Sequence, residues 1–159
     1  MMNIRLLCVG KIKDSFRKEE INEYVKRLSR YCKISIFEVD DCKLKDNASL
    51  KEEEMVLKEE GNKLLKLINK DDYVLLMDLH GKEIDSIKFS SLIDQISLTH
   101  STIDVVIGGS LGLSDELRKR ANYSLCLSKM TFTHMMTRAI ILEQIYRAFK
   151  ILKNETYHK

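Results

Sequence analysis

Five short apolar runs divide the chain, at 4–9, 34–39, 73–79, 103–107 and 123–127, and each has the length and character of a buried strand. Between them, apolar residues recur at helical steps. Ile21, Tyr24, Val25, Leu28, Tyr31 and Cys32 make one stripe, and Leu50, Leu57, Leu64 and Ile68 another. Strand and helix therefore alternate. Strands that are apolar along nearly their whole length must be covered on both sides, so the expected fold is α/β, a mainly parallel sheet with helices on both faces. Proline is absent, and no linker or repeat interrupts the pattern. Residues 1–159 are expected to form one domain. In such sheets a ligand sits beyond the C-terminal ends of the strands.

The segment 106–114, VIGGSLGLS, lies at one such end. Ser114 can cap a following helix, with Asp115 and Glu116 in its first turn and Arg118, Lys119 and Arg120 in its last, the arrangement the helix dipole favours. A dinucleotide fingerprint requires G-x-G-x-x-G in the first strand-helix turn and an acidic residue about 20 positions on. Here the spacing is G-G-x-x-G in the fourth such turn, and no carboxylate lies between Glu116 and Glu143. A P-loop requires Gly-Lys-Ser/Thr, and Gly112, Leu113 and Ser114 supply no lysine. Both phosphate-rich cofactor classes are disfavoured. Taken alone, Gly108 and Gly109 read as a tight turn.

Charge is unevenly spread. Residues 1–33 carry nine Lys/Arg against four Asp/Glu, 34–113 nine against sixteen, and 114–159 nine against four, giving +5, −7 and +5. Two basic ends that meet in space would attract phosphates, although solvated helix charge explains the same numbers. The four cysteines form no C-x-x-C pair, and the histidines at 80, 100, 134 and 158 have no metal-ligand spacing. Reduced thiols and no metal site are expected. No apolar stretch approaches the ~20 residues of a membrane span, and the N-terminus has no secretory pattern, so a cytoplasmic protein without membrane contact is expected.

The final helical pattern, about 135–152, holds an anomaly. Glu143, Gln144, Arg147 and Lys150 share one arc, whereas Arg138 falls opposite, among Leu142, Ile145 and Phe149. A guanidinium in an apolar stripe must meet a carboxylate, a carbonyl or a ligand anion. Arg138 is thus a candidate site residue, with a structural ion pair, for example to Glu143 of another chain, as its competitor; Lys129 and His134 stand just upstream. The helix is apolar over more than half its circumference, which predicts a homodimer built on it. Beyond it, a mobile tail at 154–159 carries Tyr157 and His158, aromatic groups able to stack on an unpaired RNA base.

The segments CVGK, VIGGSLGL, SLCLSKMTFTH and RAIILEQIYRAFKILKNETYHK resemble the ribosomal RNA large subunit methyltransferase H family of the SPOUT superfamily. The likeness spans the whole chain and is most specific from Ile107 onward. It implies an α/β fold with a C-terminal trefoil knot, a homodimer, and S-adenosylmethionine as cofactor. The implied reaction is methylation of N3 of a pseudouridine in 23S ribosomal RNA, on the assembled ribosome. By the family pattern, cofactor contacts fall on Met77, Gly108, Leu127, Ser128, Lys129, Met130, Thr131 and Phe132. The sequence departs from that pattern at Met77, Leu111, Thr133 and Met135. Arg138 suits stabilisation of the imide anion that develops on the base, and His134 the transfer of its proton. Tyr157, His158 and Lys159 would grip the RNA across the dimer. The alternative is a non-catalytic RNA-binding or ribosome-associated paralogue that keeps the fold.

Overall fold

A computed structural model describes residues 1–159. The strands are β1 (Asn3–Val9), β2 (Lys33–Val39), β3 (Tyr73–Glu83), β4 (Thr102–Ile107) and β5 (Tyr123–Cys126). The helices are α1 (Ser15–Leu28), α2 (Leu50–Leu65), α3 (Ser86–Ser97), α4 (Asp115–Arg120) and α5 (His134–Leu152). One sheet in the order β2-β1-β4-β3-β5 holds all five strands, and every pairing is parallel. The expected α/β class is observed.

The period-two alternation of β1 sorts its side chains between two cores. Ile4, Leu6 and Cys8 point to the face covered by α1, α3 and α5, where Ile21, Phe89, Ile93, Ile141 and Ile145 pack. Leu7 and Val9 point to the other, where α2 and α4 bring Leu64 and Leu117. Burial pushes the Cys8 and Cys32 thiols up to about 12, so both pack as small apolar groups. All four cysteines are free.

α5 lies in the first of these layers, in contact with both α1 and α3. Those two helices cover much of the apolar excess that pointed to a partner subunit, leaving Ile140 and Ile151 half-buried and Met136 exposed. The dimer thus loses part of its sequence argument. No helix is long and apolar enough to cross a membrane.

β3 runs farther than its apolar stretch. Met77 pairs with Leu125 of β5, the chain then loops outward, and Lys82 pairs with that same Leu125. Gly81 makes this detour possible, because a Cβ there would lie 2.6 Å from the Ser124 backbone. The outward loop carries Asp78, Leu79 and His80 over the end of the sheet.

Candidate functional site

The C-terminal ends of β4, β3 and β5 are neighbours in the sheet, and a cleft of about 680 Å³ opens above them. Its floor is apolar, made by Met77, Ile107 and Leu125. One wall is the glycine turn. Gly112 adopts φ +98°, donates its N–H to the Gly109 carbonyl at 3.1 Å and closes the turn. A Cβ on Gly108 would run into the Gly112 carbonyl oxygen, so this position has no room for a side chain. Ser114 then caps α4 by accepting the Leu117 N–H at 3.3 Å, as its sequence context suggests.

The opposite wall is the 127–133 loop. The Ser128 hydroxyl accepts the Met130 N–H at 3.0 Å, and Thr133 caps α5 by accepting the Met136 N–H at 3.2 Å. The residues between are presented outward. Met130 is 78% exposed and Phe132 42%, an unusual display of large apolar groups at the mouth of a cleft, continued by Leu79. Of the eight residues expected to touch the cofactor, Met77, Gly108, Leu127, Ser128, Met130, Thr131 and Phe132 line the cleft. Lys129 is the exception, exposed on the loop and outside the lining.

The sequence reading missed Asp78, His80, Arg118 and Thr137, which also line the cleft. Asp78 is held on two sides: its Oδ2 accepts Arg118 Nε at 3.0 Å and its Oδ1 the His80 N–H at 3.0 Å. Burial works to raise its pKa, but these hydrogen bonds and the Arg118 charge together hold the carboxyl below its ordinary value. It is therefore ionised at neutral pH. The signal for Asp78 was its place directly after Met77 at a strand end. Arg118 read as a dipole partner of its own helix, and nothing local tied it to residue 78.

His134 is the first residue of α5 and half-buried at the edge of the cleft. Burial, reinforced by the Arg138 charge and opposed by Asp41, lowers its pKa. The imidazole is neutral at pH 7 and can accept a proton. It also lines a second cleft of about 510 Å³, on the other side, with the loop from Gly10 to Asp14.

The structure does not bring Arg138 to the cleft. The residue is fully buried and lines neither cleft. Its Nη1 donates to Glu38 Oε2 at 2.6 Å, and its Nη2 to the carbonyls of Val9 at 3.1 Å and Gly10 at 2.7 Å. Only Nε lacks a partner. With both terminal nitrogens engaged and no accessible surface, the guanidinium cannot touch a substrate base in this conformation. The competing reading, a structural ion pair, is observed, but with Glu38 of the same chain rather than Glu143 of another; Glu143 pairs with Arg147.

The tail also differs from its expected mobility. The Tyr157 hydroxyl donates to Glu143 Oε1 at 3.0 Å, its ring meets Tyr146 edge-on at 5.0 Å, and the Arg147 guanidinium lies 4.7 Å from its centroid. His158 Nδ1 is 3.2 Å from Arg147. Tyr157 is thus docked on the C-terminal half of α5, while His158, beside Arg147, and Lys159 are exposed. His134 stands at the helix's other end. A helix of 19 residues spans roughly 28 Å, so the tail does not reach the cleft of its own chain.

Residues 2–158 match the family model described as predicted SPOUT methyltransferase. Proteins named ribosomal RNA large subunit methyltransferase H are similar over nearly the whole chain. That of Clostridium botulinum strain Okra is 56% identical and that of Clostridium acetobutylicum 52%, each over 159 residues, covering 99% of this chain and 100% of the relative. Among solved structures, a probable methylase family protein from Haemophilus influenzae Rd KW20 shares the fold, with a TM-score of 0.55 at 13% identity. The alignment covers 99% of this chain and 71% of that one. The cleft at three strand ends and the full-length likeness agree, and the chain belongs to the ribosomal RNA large subunit methyltransferase H family of SPOUT methyltransferases.

Proposed function

We propose that this chain is an S-adenosylmethionine-dependent methyltransferase acting on N3 of a pseudouridine in 23S ribosomal RNA, as a homodimer on the assembled ribosome. The relatives' name supports the RNA target. The observation that carries the reading is the convergence of seven expected cofactor residues on one cleft at neighbouring strand ends. Its volume suits a nucleoside-sized ligand. Its arginine, Arg118, is already paired with Asp78, which favours a ligand without phosphates.

S-adenosylmethionine, when bound, supplies a methyl group made electrophilic by its sulfonium. Met77, Leu127 and Phe132 would hold its apolar parts, and the bare backbone at Gly108 permits close approach. In-line displacement asks the protein mainly for alignment and exclusion of water. Met130, Phe132 and Leu79, exposed around the mouth, would cover the base and dry the site. His134, neutral at pH 7, would take the proton leaving N3 onto a ring nitrogen as the new N–C bond forms. Tyr157, His158 and Lys159 would engage RNA at the cleft of the partner subunit.

Calorimetric titration with S-adenosylmethionine and S-adenosylhomocysteine, followed by methyl incorporation into ribosomes that lack the modification, tests this reading. Saturable binding of both ligands and transfer to 23S RNA are expected. RNA binding without either ligand would identify the chain as a non-catalytic paralogue.

A further inference from the structure

Glu38 lies near the end of the edge strand β2, outside both clefts. One of its oxygens, Oε2, accepts two hydrogen bonds from different parts of the chain. Arg138 Nη1 on α5 donates at 2.6 Å, and the Ile12 backbone N–H in the loop after β1 at 2.9 Å. Arg138 in turn binds the Val9 and Gly10 carbonyls at the root of that loop. One carboxylate and one buried guanidinium thereby join the end of β2, the β1–α1 loop and the first turns of α5.

His134 stands one helical turn before Arg138, against the same loop. A Cβ on Gly10 would lie 3.7 Å from His134 Nε2 and 3.4 Å from Met135 Cε, and Gly10 holds φ +86°. Loop and imidazole are in close register, and the position of each depends on the Arg138 anchor. We propose that Glu38 is a positioning residue for His134: through Arg138 and the Ile12 amide it fixes where the imidazole stands between the two clefts and which charges surround it. This inference builds on the reading of His134 as proton acceptor.

The charges around His134 are specific. Arg138 faces it from its own helix, and Asp40 and Asp41 from the segment after β2. Lys11, Lys13, Asp14 and Arg17 line the second cleft, while Asp78, His80 and Arg118 line the first. Among these, Arg138 depends directly on Glu38 for its counter-charge.

Glu38→Gln keeps an acceptor of the same shape and removes the charge. In the full-length protein, an NMR titration of His134 should show its pKa falling by at least about half a unit, because the Arg138 charge is no longer offset. Glu38→Gln/Arg138→Gln, which removes both charges, should move it the other way, toward the ordinary histidine value. The acid limb of the kcat–pH profile should shift with the titration, while S-adenosylmethionine affinity stays within about twofold. A His134 titration unchanged in Glu38→Gln overturns the proposal. If that variant does not fold, the double variant decides by the same measurement. A titration that shifts while the kcat–pH profile does not would keep Glu38 as the positioning residue and remove His134 as the proton acceptor.

Discussion

Two arginines, Arg138 buried and Arg5 half-buried, do different work in this chain, and pH separates them. Arg5 holds Asp104 on the α2/α4 face, with Nε to Oδ1 at 2.6 Å and Nη2 to Oδ2 at 2.8 Å, and also reaches the Leu67 carbonyl. Asp104 is fully buried, and burial pushes its carboxyl up to about 6 even though Arg5 opposes the shift. Between the ordinary carboxylate value and about 6, the folded state keeps a proton that the unfolded chain has released, so stability falls as pH rises through that window. Above it, the charge on Asp104 requires Arg5. Arg5→Ala should therefore cost about 3–5 kcal/mol near pH 7.5 and clearly less near pH 5, measured by urea unfolding. An equal loss at both pH values would show that Asp104 does not titrate in this range. Arg138 follows a different logic, because its carboxylate partner is half-exposed and it neighbours a titrating histidine. The sequence exposed the need for a partner, as an arginine in an apolar stripe. It did not reveal the partner, because Glu38 is 100 positions away and sits in a strand whose alternation is blurred by the edge. His134 should lose proton-accepting capacity as pH falls below its lowered pKa. The rate is then expected to fall only at a pH below the ordinary histidine value, and His134→Gln should remove that limb.

The strands were legible because apolar runs buried on both faces leave little choice of state, and each observed strand begins within one residue of its run. The start of α4 was legible for a chemical reason, since Ser114 can cap it, and that of α5 from apolar periodicity alone; its cap, Thr133, was not foreseen. What escaped the reading is the extension of β3 to Glu83. His80, Gly81 and Lys82 carry no alternation, and their pairing depends on a backbone approach that sequence does not display. Gly81 is the test of that approach. In Gly81→Ala the added methyl would press on the Ser124 and Leu125 backbone, so β3 and β5 must part locally and the Asp78 loop must move. At least a tenfold loss of S-adenosylmethionine affinity is expected by calorimetry, since 1.4 kcal/mol of misplacement already amounts to that factor. Unchanged affinity would detach the loop from cofactor binding. Ser114→Ala probes the other wall more gently: loss of the cap should cost about 1 kcal/mol in thermal or urea unfolding. Ser114 also packs against Gly61, so the vacated space should not reverse the sign.

At the scale of the molecule, the candidate site divides along α5. The cleft and His134 lie at its N-terminal end, while Tyr157, Arg147 and His158 gather at its C-terminal end. The helix length keeps them apart within one chain. The sequence argument for a dimer rested on surplus apolar surface, much of which α1 and α3 absorb. The separation of cleft and tail is the better argument, because two copies related by a two-fold axis with antiparallel α5 helices would bring each tail to the other's cleft. Mixed dimers test this directly. One subunit carries Gly108→Val, which blocks its own cleft but keeps its tail; the other lacks residues 154–159 but keeps its cleft. Neither homodimer should transfer methyl groups at more than a few per cent of the wild-type rate. If the tail serves the partner, the mixed dimer has one complete site and should recover about half of the wild-type activity. If the tail serves its own chain, every site in the mixture is defective and nothing is recovered. Activity in the tail-deleted homodimer alone would remove the tail from the reaction.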